Sequence, residues 1–176
     1  MSARDSSALR PGLDRLDPLG VVRVFLLTIF LLGIAGIAIE LVLLEHYDDF
    51  WQWTPFALFG ASLLVLVWLW ATRSATAIKA FRATMVLFLA SGAFGVFLHY
   101  DGNVEFEREM SPDVTGWPMF WEAIRGATPA LAPGAMVQLG LIGLAFTIRH
   151  PALRGPLTEG VSSELHASST VARGDP

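Results

Sequence analysis

The chain has 176 residues, no cysteine, 53% hydrophobic and 16% charged residues, and a net charge of −4. Its mean hydropathy is +0.53, and a soluble domain would carry about a quarter charged residues. These figures exclude a disordered chain, a disulfide-stapled secreted scaffold, thiolate chemistry and, for want of a basic cluster, a nucleic-acid partner. They leave an integral membrane protein too small for a large soluble domain.

In chain order, residues 1–20 mix Ser, Arg, Asp and Pro without periodicity and predict a flexible N-terminal segment. Four apolar blocks follow, each near the roughly 20 residues needed to cross about 30 Å of hydrocarbon. The first is 24–44, interrupted only by Glu40. The second is 55–71, with Thr54 expected as its N-cap and Pro55 at the first helical position. The third is 83–98, and the fourth is 129–148, introduced by Thr128 and Pro129. None alternates with period 2 over its length, and lipid offers no partner for a bare backbone, so all four predict helices. A signal peptide is the rival reading of the first block, but the block is longer than a typical apolar signal core. Residues 151–176, rich in Ser, Gly, Thr and Ala, predict a flexible tail.

Basic residues set the expected direction. Arg4, Arg10, Arg15, Arg23, Arg73, Lys79, Arg82, Arg149, Arg154 and Arg173 fall on one side, which is ten of the twelve. The positive-inside rule makes that side cytoplasmic, with both termini inside. The four-span domain, 21–150, is expected to form an antiparallel transmembrane bundle. Gly33, Gly36, Gly60, Gly92, Gly95, Gly140 and Gly143 would let its helices approach closely.

The outer loop, 99–128, has two legible halves. Between Val104 and Met110, apolar residues alternate with Glu105, Glu107 and Glu109, broken only by Arg108, which predicts an extended segment with three carboxylates on one face. Trp117, Phe120, Trp121 and Ile124 follow helical spacing and predict a short amphipathic helix with that face on the membrane surface.

Candidate chemistry gathers on the outer side, where nine acids face two arginines. Glu45, His46, His99, Asp101, Glu105 and Glu107 offer hard oxygens and imidazoles, a mixture suited to a divalent metal. Glu40 beneath them is the candidate proton or cation relay. The plain alternative is that translocated loops are simply poor in Lys and Arg, and that the acids are solvated. His46 and His99 end the first and third spans at one depth, so a small b-type cytochrome with these two as haem ligands is a further reading. Gln138, one turn after Gly134, is expected to hydrogen-bond a neighbouring helix where Pro133 loosens the fourth span. No nucleophile–base pair appears at legible spacing, which disfavours an enzyme.

The string His99-Tyr100-Asp101-Gly102-Asn103, continuing through Glu105, Glu107 and Glu109 to Met110, and the later run at 126–134 with Thr128, Pro129 and Pro133, together resemble small uncharacterised bacterial membrane proteins with four predicted spans. The resemblance covers about residues 20–150. It implies a bacterial inner-membrane address and no catalytic or binding residue. Binding or passage of a divalent cation is thus the leading expectation. The main alternative is a structural or accessory subunit of a larger membrane complex. The expected partners are the lipid bilayer and either a membrane protein or, as a separate expectation, further copies of the chain.

Overall fold

The computed structural model describes residues 17–126, 128–129 and 131–153, so the expected flexible segments at 1–20 and 151–176 lie almost wholly outside it. Every regular element among the described residues is helical. Helix α1 is Pro18–Leu43; Asp17 caps it by accepting the Leu19 N–H at 3.2 Å, and Pro18 supplies a preset φ at the first position. After a turn in which Glu45 takes a left-handed φ of 51°, a 3₁₀ turn, Phe50–Trp53, leads directly into α2, Thr54–Thr72. The cap expected from Thr54 lies earlier. Asp49 and Gln52 form a reciprocal capping box, and the Gln52 side-chain oxygen accepts the Asp48 N–H at 2.8 Å. Thr54 is already helical.

Arg73, at φ 47°, ends α2 in the left-handed region that closes many helices. Ser74 then caps α3, Ala75–Met110, by accepting the Ala77 N–H at 3.1 Å. Two shorter helices complete the order: α4, Trp117–Arg125, and α5, Gly134–Phe146, followed by a 3₁₀ turn at Pro151–Leu153. Three stretches are long and apolar enough to cross a membrane, Pro18–Leu43, Phe50–Thr72 and Ala75–Met110.

Two elements depart from expectation. Helix α3 has 36 residues, about 54 Å at 1.5 Å per residue, and continues through the segment expected to be extended. Its continuation buries Asn103 and Val104, a helical seam that period-2 reading divides between two faces. Helix α5 has only 13 residues. Pro129 and Pro133 bring no N–H to the ladder, so residues 131–136 make i→i−3 bonds, such as Gly134 N to Leu131 O at 2.9 Å, before α-helical pairing begins. Pro133 therefore precedes the helix instead of kinking it. Gln138 is exposed, so the expected bond to a neighbouring helix is not made.

Packing is densest where α3 meets α5. A Cβ at Gly140 would lie 2.9 Å from the Met85 carbonyl oxygen, and one at Gly92 would lie 2.8 Å from the Val137 backbone nitrogen. Backbone against backbone leaves no room for a methyl group. Gly33 of α1 likewise receives Leu139 of α5, whereas Gly36 and Gly60 face open space. A chain of phenylalanines then ties the long helices together. Phe30 of α1 meets Phe81 and Phe88 of α3 at ring distances of 5.7 and 6.0 Å. Phe88 meets Phe59 of α2 at 5.9 Å, and Phe81 meets Phe146 of α5 at 5.8 Å. Phe30, Phe81 and Phe88 are fully buried.

Helix α4 lies against the extension of α3. Its inward residues are Met119 and Ala123, which pack on Tyr100, Val104 and Val114. The face expected to be apolar is turned away in part, with Trp117 and Trp121 exposed. Asn103 fastens the return of the chain: its amide donates to the Ala123 and Thr128 carbonyls at 2.8 and 2.6 Å and accepts the Thr128 N–H at 3.1 Å.

Gly140→Ala should destabilise the protein by about 1–3 kcal/mol through overpacking. Gly60→Ala, placed in open space, should stabilise it by up to about 1 kcal/mol through helix propensity. Thermal unfolding followed by circular dichroism checks the opposite signs. Asn103→Ala orphans the Thr128 N–H and two carbonyls, and the same measurement should show a loss of about 1–3 kcal/mol.

Candidate histidine site

The turn after α1 carries His46, and α3 carries His99 about two-thirds of the way along its length. The fold brings these two rings to a centroid separation of 6.0 Å. Both are half-buried, and both line a cavity of about 140 Å³ whose other walls include Gln52, Thr54, Ser91, Pro133 and Met136. His99 Nδ1 lies 3.2 Å from the Pro129 carbonyl oxygen. A carbonyl only accepts, so Nδ1 carries the hydrogen and Nε2 keeps its lone pair. A backbone carbonyl on one imidazole nitrogen is the arrangement that orients metal-ligating histidines. Burial, followed by the charge of His99, pushes the His46 pKa below its ordinary value. The carbonyl contact fixes the tautomer of the neutral His99 ring, and the lowered pKa keeps His46 neutral to lower pH than an ordinary imidazole.

The acidic residues do not join them. Among the described residues, no group of three or more His, Asp or Glu side chains could hold a metal ion, so Glu45, His46, His99, Asp101, Glu105 and Glu107 are not gathered as one ligand set. The physical reason is the helicity of 99–110. On a helix, Glu105, Glu107 and Glu109 advance by 200° at each step, about 100° per residue, and diverge around the axis. Asp101 and Glu105 are exposed. Glu40 also misses its expected place. The inward seam of α1 runs through Phe30, Ile34, Ile37 and Leu41, leaving Glu40 exposed beside it and without an ion pair among the described residues. A haem does not fit between His46 and His99 as folded, since 140 Å³ is below even the ~300–1,000 Å³ of ordinary small-molecule sites.

At the opposite end of the helices, two arginines close the C-terminus of α5. Arg82 donates to the Thr147 hydroxyl and carbonyl at 2.9 and 3.1 Å. Arg23 donates to the Ile148 and Arg149 carbonyls at 3.3 and 2.6 Å. Cations here satisfy the orphan carbonyls and complement the helix dipole. Burial and these two arginines push the His150 pKa down. Its Nδ1 accepts the Ala152 N–H at 3.2 Å, which leaves the proton on Nε2. Sequence reasoning counted Arg23 and Arg82 only as topological markers. Their position at the edge of apolar blocks was the available signal, but the carbonyls they cap are more than sixty residues away.

No family model matches the chain, and no curated protein or solved structure is similar to it.

His46 should titrate below the ordinary imidazole value, and His99→Gln should raise its pKa by removing a neighbouring positive charge. Proton NMR of the imidazole Hε1 signals against pH measures both. The lowered values also have a consequence for stability. Below the ordinary value of 6.5, the unfolded chain binds protons that folded His46 and His150 still refuse. Stability should therefore be intact above pH 6.5 and fall as the pH drops from there through the lowered folded-state values. Chemical denaturation across pH 7.5 to about 5 checks the sign.

Proposed function

We propose that this chain is a bacterial inner-membrane protein that spans the bilayer with α1, α2, α3 and α5 as an antiparallel bundle, both termini being cytoplasmic. We propose further that its periplasmic His46–His99 pair binds a divalent transition-metal ion. The three long apolar helices support the membrane reading. So does the protection of the ends of the short α5: His99 holds the Pro129 carbonyl, and Arg82 and Arg23 hold the carbonyls of Thr147 to Arg149. Irregular backbone at membrane depth is tolerated when other protein groups satisfy it. Arg23, Arg73, Lys79, Arg82 and Arg149 belong to one end of the helices, and that end is assigned to the cytoplasm.

The observation that carries the metal reading is the His99–Pro129 contact, which makes Nε2 the acceptor nitrogen of the neutral ring, beside a second imidazole 6.0 Å away between centroids. Imidazole suits Zn²⁺, Co²⁺, Ni²⁺ and Cu²⁺ better than Ca²⁺ or Mg²⁺. Two protein ligands leave coordination positions for water, so the ion is held less tightly than in a closed structural site. Protons compete for both rings, and the depressed His46 pKa extends binding to lower pH than an ordinary histidine would allow. The alternative of an accessory subunit draws on the exposed Trp117 and Trp121 of α4, and a stoichiometric partner on purification would favour it.

Titration of the detergent-purified chain with Co²⁺, followed by its visible absorption, tests the site. Binding should be lost in His46→Ala and in His99→Ala and retained in Glu105→Ala; equal binding by all three variants overturns it. Topology has a separate test, made simple by the absence of native cysteine. In intact spheroplasts, Thr115→Cys should react with an impermeant maleimide, and Thr76→Cys should react only after lysis.

A further inference from the structure

Helix α1 leans on α5, and α2 leans on α3, so α1 and α2 part from each other along their cytoplasmic halves. The gap is a groove of about 600 Å³. Leu27 and Leu31 of α1 form one wall, and Leu63, Leu66, Val67 and Trp70 of α2 form the other. Arg73 and His150 stand at its end. From Leu63 to Arg73 the groove follows about 15 Å of helix, half of a hydrocarbon core of about 30 Å. An apolar slot one leaflet long, ending in a cation at headgroup depth, has the form of a lipid.

We propose that this groove binds one acyl chain of an anionic phospholipid of the cytoplasmic leaflet, with its phosphate received by the Arg73 guanidinium and the His150 Nε2–H. The proposal rests on the membrane orientation given above. Charge selects the lipid class. Arg73 has no carboxylate partner among the described residues, and Asp17 is the only described acid at this end, against Arg23, Arg73, Lys79, Arg82 and Arg149. His150 is committed as a donor toward the groove, because its Nδ1 is occupied by the Ala152 N–H. Pro151 and Ala152 line the groove, and the sequence of 154–176, with scattered Leu157, Val161, Leu165 and Val171 among polar residues, does not supply an unbroken apolar chain to fill it.

Native mass spectrometry of the full-length protein in mild detergent, with added phosphatidylglycerol or phosphatidylcholine, tests the proposal. Phosphatidylglycerol should be retained about fivefold over phosphatidylcholine, the preference expected of one basic group near an anionic headgroup. Arg73→Gln should bring the ratio to about one, and Arg73→Lys should restore it. Val67→Trp, which fills the groove, should remove both adducts, while Leu64→Trp, on an exposed face of α2, should leave them intact. An unchanged ratio in Arg73→Gln, or unchanged adducts in Val67→Trp, overturns the proposal. So does a dimer peak that disappears in Val67→Trp, which would assign the groove to a second copy. A chain that stays in carbonate-washed membranes yet retains no lipid refutes the groove alone. A chain released by that wash refutes the membrane reading.

Discussion

The close approach of α3 and α5 is the contact on which the remaining geometry depends. Gly92 and Gly140 let the two backbones meet with no side chain between them. That approach brings Pro129 and Pro133 under the middle of α3, so that the Pro129 carbonyl reaches His99 and the Pro133 ring lies against Gly95. It also brings Thr147 to Arg82 at the far end. Helix α1 packs onto the surface the pair creates, through Gly33 on Leu139 and Phe30 on Phe81. Both the histidine pair and the two-arginine cap are products of one seam of absent methyl groups.

Much of this was legible in advance, and the reasons are local. Apolar length matches α2 to within one residue at each end and α1 at its C-terminal end, although α1 begins six residues before its apolar block, and helical spacing matches α4 at Trp117–Arg125. The depth match of His46 and His99 followed from their places at the ends of two apolar blocks. Glycine positions were legible as a class but not one by one. Gly92 and Gly140 are in contact while Gly36 and Gly60 are not, because contact depends on which helix faces which.

The failures share a cause. The alternation across Val104–Met110, broken only at Arg108, predicts a strand, but so short a window also fits a helix whose inward seam falls at Tyr100, Asn103, Val104 and Glu107. Asn103 decided the matter from outside the window, since its three hydrogen bonds are to residues at least twenty positions away. The acidic site failed with the strand, because carboxylates that share one strand face point apart on a helix. Glu40 lies outside the inward seam for a related reason: that seam is fixed by partners on α3 and α5, which the sequence of α1 does not announce.

The arginine cap also bears on the order in which the molecule is made. Arg23 lies early in the first helix, and the carbonyls that accept its hydrogen bonds are 125 and 126 residues later. At synthesis rates of about 5–20 residues per second, α1 waits roughly 6–25 s before those acceptors exist. Among the described residues the one carboxylate paired with its guanidinium is Asp17, at 3.8 Å, and that partner is present from the start of synthesis. The Arg23 guanidinium therefore lacks these two acceptors until the end of the chain has been made. Closing the molecule is a late event that draws a charge inward after the rest of the chain is in place.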